Sequence, residues 1–349
     1  MRYKLLGGTG LRVSELCLGA MTFGQKRGNW GAAAGESRSI FESFVEHGGN
    51  FVDTANMYQM GESEILLSGL LEGRRHEIVL ATKYSLGARA TDLNSGGNHR
   101  KSMVQALEGS LQRLRTDYID LYWMHAWDGV TPADEVLRAL DDMVRAGKIL
   151  YIGLSDTPAW VIARSQAIAE LRGWSKLAAT QVPYSLIERG IEREILPMAT
   201  SLGLGVLAWG PLGNGLLSGK YSGWRGTSTQ SVQGRLNDPG YPVHGYSQRS
   251  EKIAHAVVEV AEECAATPAR VALAWLRSKS SAVIPIIGAR TLDQLDDNLA
   301  CLETSLSQQQ LGHLNEVSAI ELGFPTDFYP AIEATLFGQM RGRLDPPQS

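Results

Sequence analysis

FVDTANMYQMGESEILLSGLLEGRRHEIVLATK, residues 51–83, reads as one unit in three pieces. A short apolar run, FVDTA (51–55), is followed by ESEILLSGLLEG (62–73), whose apolar residues fall at three- and four-residue spacing. A second apolar run, IVLATK (78–83), closes the unit. Strand, amphipathic helix and strand follow from these periods. Similar apolar runs recur outward in both directions: SELCLGAM (14–21), IDLYWMH (119–125), ILYIGLSD (149–156), AATQVPY (178–184), GVLAWG (205–210) and AVIPIIG (282–288). They are rich in Val, Ile and Leu with little polar alternation, as parallel strands covered on both faces should be. Between them lie helical patterns such as SRSIFESFVEHG (37–48), MVQALEGSLQRL (103–114), ADEVLRALDDMVRAG (133–147) and LDQLDDNLACLE (292–303). Several end in Gly, a common helix stop, and Thr131 is placed to cap the helix that opens at Pro132 or Ala133.

Eight strands alternating with helices predict an α/β protein of the (β/α)8 TIM-barrel class, with long loops on the C-terminal face. An open doubly wound sheet is disfavoured because no G-x-G-x-x-G follows a strand. The 349 residues suffice for one large barrel, read as a single domain over 1–349 with a core of about 5–302 and a C-terminal helix and tail over 303–349. Two stretches break the rhythm, 84–100 and 220–248, and in a barrel both lie on the active face. Beyond Glu321, the aromatic residues Phe324, Phe328, Tyr329 and Phe337 predict that part of the tail docks.

With 44% hydrophobic and 20% charged residues, the chain has the make-up of a soluble globular protein. A formal charge of −4 gives no global basic field for nucleic acid or a membrane surface. No apolar run reaches the roughly 18 residues of a membrane span. Cys17, Cys264 and Cys301 form no CxxC pair, so neither a disulfide framework nor a zinc site is expected. A cytoplasmic location follows from these features.

Four ionisable residues converge at strand ends. Asp53 ends the second strand run, Tyr58 follows in its loop, Lys83 ends the third and His125 the fourth. A Lys at the end of a barrel strand needs a partner, and Asp53 is the natural one. The Lys83 ammonium favours the Tyr58 phenolate and is expected to lower its pKa. Tyr58 can then give a proton to a carbonyl oxygen. His125 can hydrogen-bond the same oxygen. Nothing in this set supplies electrons, so reduction requires a hydride cofactor.

These residues resemble the aldo-keto reductase family. GGNFVDTANMYQMGESEILLSGLL carries the family's Asp-to-Tyr signature, LATK supplies Lys83 and DYIDLYWMHAWD supplies His125, so Asp53, Tyr58, Lys83 and His125 match the whole catalytic tetrad. The likeness runs from about Leu5 to Leu302 and is nearest to the branch of potassium-channel β subunits and bacterial aryl-alcohol or sugar-aldehyde reductases. It implies a nicotinamide dinucleotide bound to the barrel without a Rossmann domain. Gly19, Ala20 and Met21 would approach the nicotinamide ribose. Ser155, Asp156 and Gln181 would hold the carboxamide, with Trp209 stacked on the ring. Pro211, Leu212, Gly213, Gly215 and Lys220 would wrap the pyrophosphate. Gly288, Arg290, Gln294 and Asn298 would surround the adenosine end. Arg suits a 2′-phosphate, which points to NADPH over NADH. There are three departures: many relatives carry Asn where Asp156 stands, Tyr is more frequent where Trp209 stands, and Arg290 stands apart from branches that use a Lys-Ser pair, so the phosphate preference rests largely on that one residue.

Trp30, Tyr84 and Trp127, with Trp123, flank the expected mouth, and Trp224, Tyr241 and Tyr246 lie in the long loop. An aromatic rim suits an aryl aldehyde, a cyclic ketone or the apolar face of a sugar. The resulting expectation is an NADPH-dependent carbonyl reductase acting on a small molecule, with no metal, nucleic-acid or membrane partner and self-association left open. The alternatives are a cofactor-sensing subunit that regulates a partner, and a metal-dependent hydrolase using Asp53 and His125. The second lacks the usual gathering of His and carboxylates.

Overall fold

The structure is a computed structural model that describes residues 1–26, 31–87, 91–221 and 247–343. A hairpin of β1 (Tyr3–Leu5) and β2 (Arg12–Ser14) precedes the barrel. The barrel strands are β3 (Cys17–Gly19), β4 (Phe51–Asp53), β5 (Val79–Tyr84), β6 (Ile119–Met124), β7 (Ile149–Ser155), β8 (Leu177–Pro183), β9 (Gly205–Trp209) and β10 (Val283–Ile287). All eight pair in parallel and in chain order, and β10 closes on β3. Each predicted strand is present, and the architecture is a (β/α)8 barrel.

The surrounding helices are α1 (Ala34–Glu46), α2 (Glu62–Leu70), α3 (Arg100–Leu114), α4 (Ala133–Arg145), α5 (Ala159–Arg172), α6 (Ile195–Ser201), α7 (Gln248–Glu263), α8 (Pro268–Ser278), α9 (Leu292–Leu299), α10 (Gln308–Val317) and α11 (Tyr329–Phe337). Their apolar stripes pack on the outward strand residues in one continuous core, for example Leu107 and Leu137 with Tyr122 and Ile152. Thr131 does not cap α4: its hydroxyl donates to Asp128 at 2.7 Å, and Pro132 holds the cap position.

A second cluster fills the barrel interior, with Cys17, Phe51, Ala81, Leu121, Trp123, Ala179, Leu207 and Ile284. Leu6 and Val13 of the hairpin join it from below. Gly7 is left-handed there (φ 57°), and a Cβ at that position would lie 2.5 Å from the Ala178 carbonyl oxygen. The hairpin therefore plugs the N-terminal end. The GGTG turn at 7–10 was its signal in the sequence.

The interior set fixes the site by parity. Side chains alternate along a strand, so Phe51 in the interior puts Asp53 there too. Ala81 does the same for Lys83, Ala179 for Gln181 and Leu207 for Trp209. The polar residues of the tetrad and the cofactor set are thus the last inward layer, at the C-terminal ends. The same parity turns Tyr84 outward. It is fully buried, stacked on Tyr122 with ring centroids 5.4 Å apart, and is not at the mouth. Trp123 faces inward but lies wholly buried within the barrel.

The tail departs from expectation. α10 is anchored through Arg189, which donates to the Asn315 carbonyl at 2.9 Å. α11, YPAIEATLF, buries none of its residues, and Phe324 and Phe328 pack on each other and stay exposed. No helix among the described residues is long and apolar enough to cross a membrane.

Candidate active site

Lys83 is fully buried and ends three interactions at once. Its Nζ makes a short ion pair with Asp53, donates to the Thr54 carbonyl at 2.8 Å and reaches the Tyr58 hydroxyl at 3.2 Å. Asp53 accepts a further bond from Gln181 Nε2 at 3.0 Å. Burial pulls the Lys83 pKa down, but Asp53 and Tyr58 outweigh it and hold the ammonium above its usual range. A charge placed this deep persists only when paired in this way.

Tyr58 stands over Lys83, with the ammonium 4.7 Å from its ring centroid. The expected downward pull of Lys83 is present, yet burial is the larger effect and the phenol is pushed up overall. The resting group is therefore the neutral phenol. His125 follows β6 and lies edge-on to Tyr58, with ring centroids 5.7 Å apart at 81°. Burial, then the Lys83 charge, drive its pKa well below the usual histidine range. At neutral pH it is an uncharged imidazole, one donor and one acceptor. Its Nδ1 is buried without a protein partner.

On the other side of the mouth, Ser155 ends β7 and its buried hydroxyl has no partner. Asp156 follows in a left-handed conformation (φ 43°) and accepts from Trp209 Nε1 at 3.0 Å. After β9, Gly213, Asn214 and Gly215 are successive left-handed residues in a tight turn, and runs of such backbone can present N–H groups to an anion. Pro211 is buried and Leu212 packs on the core, while Lys220 folds back until its Nζ lies 2.9 Å from where a Gly215 Cβ would be. Beyond β10, Gly288 is open to solvent. The Gln294 side chain accepts from the Arg290 backbone at 2.9 Å, and Asn298 donates to the Gly288 carbonyl at 3.3 Å. The Arg290 guanidinium has no partner among the described residues. Gly19, in register with Asp53, and Met21 complete the ring.

These features fit a dinucleotide: an orphaned buried hydroxyl, an exposed aromatic face at Trp209, a left-handed glycine turn and the Arg290 guanidinium follow one another around the rim. One of the two Gln181 amide N–H groups is engaged by Asp53, which leaves the other N–H and the amide oxygen for a ligand. Trp127 is half-buried at the mouth, whereas Trp30, Trp224, Tyr241 and Tyr246 lie outside the described residues. Among the described residues no three His, Cys, Asp or Glu side chains gather as metal ligands would.

Two contributors were not read from the sequence. The Thr54 carbonyl is backbone and leaves no side-chain signature. Asn98 and Asp128 bond reciprocally, backbone N–H to side-chain oxygen at 2.8 Å each way. They tie the 84–100 stretch to the loop carrying His125. Their Asn and Asp types in loops were a weak signal of such a turn.

The sequence matches the aldo/keto reductase family model over residues 15–319. A norsolorinic acid reductase of Aspergillus flavus is 35% identical over 336 residues, covering 93% of this chain and 82% of that one. A second enzyme of that name, from Emericella nidulans, is 38% identical over 335 residues, covering 91% and 82%. An uncharacterized oxidoreductase of Bacillus subtilis, YrpG, is 38% identical over 329 residues, covering 91% and 96%. Both the barrel-end constellation and these matches lead to one assignment: this chain belongs to the aldo/keto reductase family of oxidoreductases.

Proposed function

We propose that the chain reduces an aldehyde or ketone to an alcohol with NADPH, using Tyr58 as the proton donor. The observation that carries this reading is the buried Lys83 ammonium, held by Asp53 and the Thr54 carbonyl and aimed at the Tyr58 hydroxyl. When bound, the nicotinamide supplies the hydride. Ser155, Asp156, Gln181 and Trp209 would hold its ring, the 211–220 turn its pyrophosphate, and Gly288, Arg290, Gln294 and Asn298 its adenosine end.

The chemistry of the protein side follows from the charges. The neutral phenol of Tyr58 carries the proton to the carbonyl oxygen as negative charge develops there. The phenolate left behind faces Lys83, whose charge stabilises it. Asp53 keeps Lys83 charged, and Gln181 keeps Asp53 in place. His125, uncharged, can donate one hydrogen bond to the same oxygen and orient it. The lone Arg290 guanidinium supports NADPH over NADH, because its planar fork suits a phosphate.

The substrate is a small-molecule carbonyl compound. Met60, Val130 and Trp160 are strongly exposed in the segments that follow β4, β6 and β7, on the face where barrel enzymes bind. With Trp127 they favour an aromatic or cyclic carbonyl compound. Aldehydes and ketones assayed in parallel with NADPH and NADH, on the wild type and Tyr58→Phe, test this. Turnover should fall by about 10²–10⁴-fold in the variant, with NADPH still bound. Wild-type turnover by Tyr58→Phe would remove Tyr58 as the donor.

A further inference from the structure

Two of the departures from the family pattern, Asp at 156 and Trp at 209, touch each other. Trp209 Nε1 donates to Asp156 Oδ1 at 3.0 Å. Asp156 follows β7 and Trp209 ends β9, strands that are not neighbours: β8 lies between them. The contact therefore spans a strand, above the Gln181 end of β8.

Asp156 is held rigidly for this task. Its backbone N–H donates to the Gln181 carbonyl at 3.1 Å, and its carbonyl accepts from the Trp127 N–H at 3.4 Å. Its left-handed φ of 43° is one that Asp tolerates better than most residues. Trp209, by contrast, is 36% exposed at the mouth. An aromatic side chain that open would ordinarily sample several rotamers. Indole has a single N–H, so one acceptor decides where the ring stands. A carboxylate makes that bond charge-assisted. A Tyr at 209 would carry its donor at the far tip of the ring instead of at its edge.

We propose that Asp156 and Trp209 form a latch, with Asp156 as a positioning residue that sets the Trp209 indole over the cofactor seat before the cofactor arrives. Affinity then gains because the ring need not be ordered on binding. The carboxylate is thus present for the indole, and carboxamide recognition falls more heavily on Ser155. This rests on the cofactor reading above, and its test separates the two.

The latch is read first without cofactor. In protein labelled with ¹⁵N-tryptophan, the Trp209 indole N–H, assigned from its absence in Trp209→Phe, should exchange slowly despite its exposure. Asp156→Ala should abolish that protection, and Asp156→Asn should keep most of it, since an amide oxygen still accepts. Calorimetric titration with NADPH comes second. Asp156→Ala and Trp209→Phe should each weaken binding about three- to tenfold, the scale of ordering one side chain. The double variant should be no worse than the weaker single one, because both remove the same contact. Rapid indole exchange in the wild type, wild-type affinity in Asp156→Ala, or additive losses would each overturn the latch. A wild type that binds neither NADPH nor NADH would sink the cofactor reading, while the exchange measurement would still judge the latch.

Discussion

On the β4–β6 side of the mouth the charged groups satisfy one another, although Asn56 Oδ1 and Trp123 Nε1 are left buried and unpaired there. Asp53, Lys83 and Tyr58, joined by Gln181 from β8, form one hydrogen-bonded line made from protein atoms alone. On the β7–β10 side they do not: the Ser155 hydroxyl is buried and unpartnered, and the Arg290 guanidinium has no partner among the described residues. A buried group left unpaired costs free energy, so the Ser155 hydroxyl marks where a ligand completes the structure. The first half is preorganised for a proton; the second is shaped around something that must come from outside. His125 sits at the boundary, with its ring packed on Tyr58 and its Nδ1 open.

The sharpest way to break this contrast is Lys83→Met. It leaves the Asp53 carboxylate buried with Gln181 as its remaining side-chain partner. Losing one member of a buried ion pair costs about 3–5 kcal/mol, and the phenolate of Tyr58 loses its counter-charge. Turnover should fall about a thousandfold or more, within or beyond the range of general acid catalysis, and the midpoint of thermal unfolding should drop. Adding Asp53→Asn removes the stranded charge. The double variant should regain much of the stability and none of the activity. If stability and activity returned together, the line would be a structural ion pair and no proton device.

The parity of the strands explains how much of this was legible. Asp53, Lys83 and His125 stood out because charged or polar groups ended runs of Val, Ile and Leu, and the barrel ends are where such residues gather. The eight strands were legible for the same reason, with boundaries off by at most three residues, as at 14–21 against Cys17–Gly19. Tyr84 was misread because its neighbour Lys83 already occupied the inward position. In a strand the adjacent residue must face the other way, and counting by two would have placed it under α3. The direction of the Tyr58 shift depended on weighing burial against Lys83, and burial has no counterpart in sequence. The exposed α11 was illegible for another reason. Its largely apolar composition says that it should be covered, and yet none of its residues is buried.

A milder change probes the ligand-facing half. Ser155→Ala deletes a hydroxyl that pairs with nothing, so the thermal midpoint should stay within a degree or two of the wild type or rise. NADPH should nevertheless bind about two- to tenfold more weakly, the worth of one neutral hydrogen bond. Separation of the two readouts is the signature of a group kept for a ligand. A fall in stability with unchanged affinity would move Ser155 to the self-satisfied half.

The smallest effect concerns His125, and its sign follows from its surroundings. Burial and Lys83 depress its pKa in the folded protein below the ordinary value of 6.5. Between the two values the unfolded chain binds a proton that the folded chain refuses, so unfolding takes up protons there. The stability that neutral His125 contributes is complete above about pH 6.5 and is lost as the pH falls below it. One proton limits the slope to about 1.4 kcal/mol per pH unit. Thermal unfolding followed from pH 8 to pH 5 should therefore show a falling midpoint on the acid side, and His125→Gln, which cannot titrate, should show a shallower fall. Equal slopes would mean that the imidazole takes its proton freely while folded. It would then be reached by solvent and belong with Ser155 and Arg290, and the line between the two halves of the mouth would run between Tyr58 and His125.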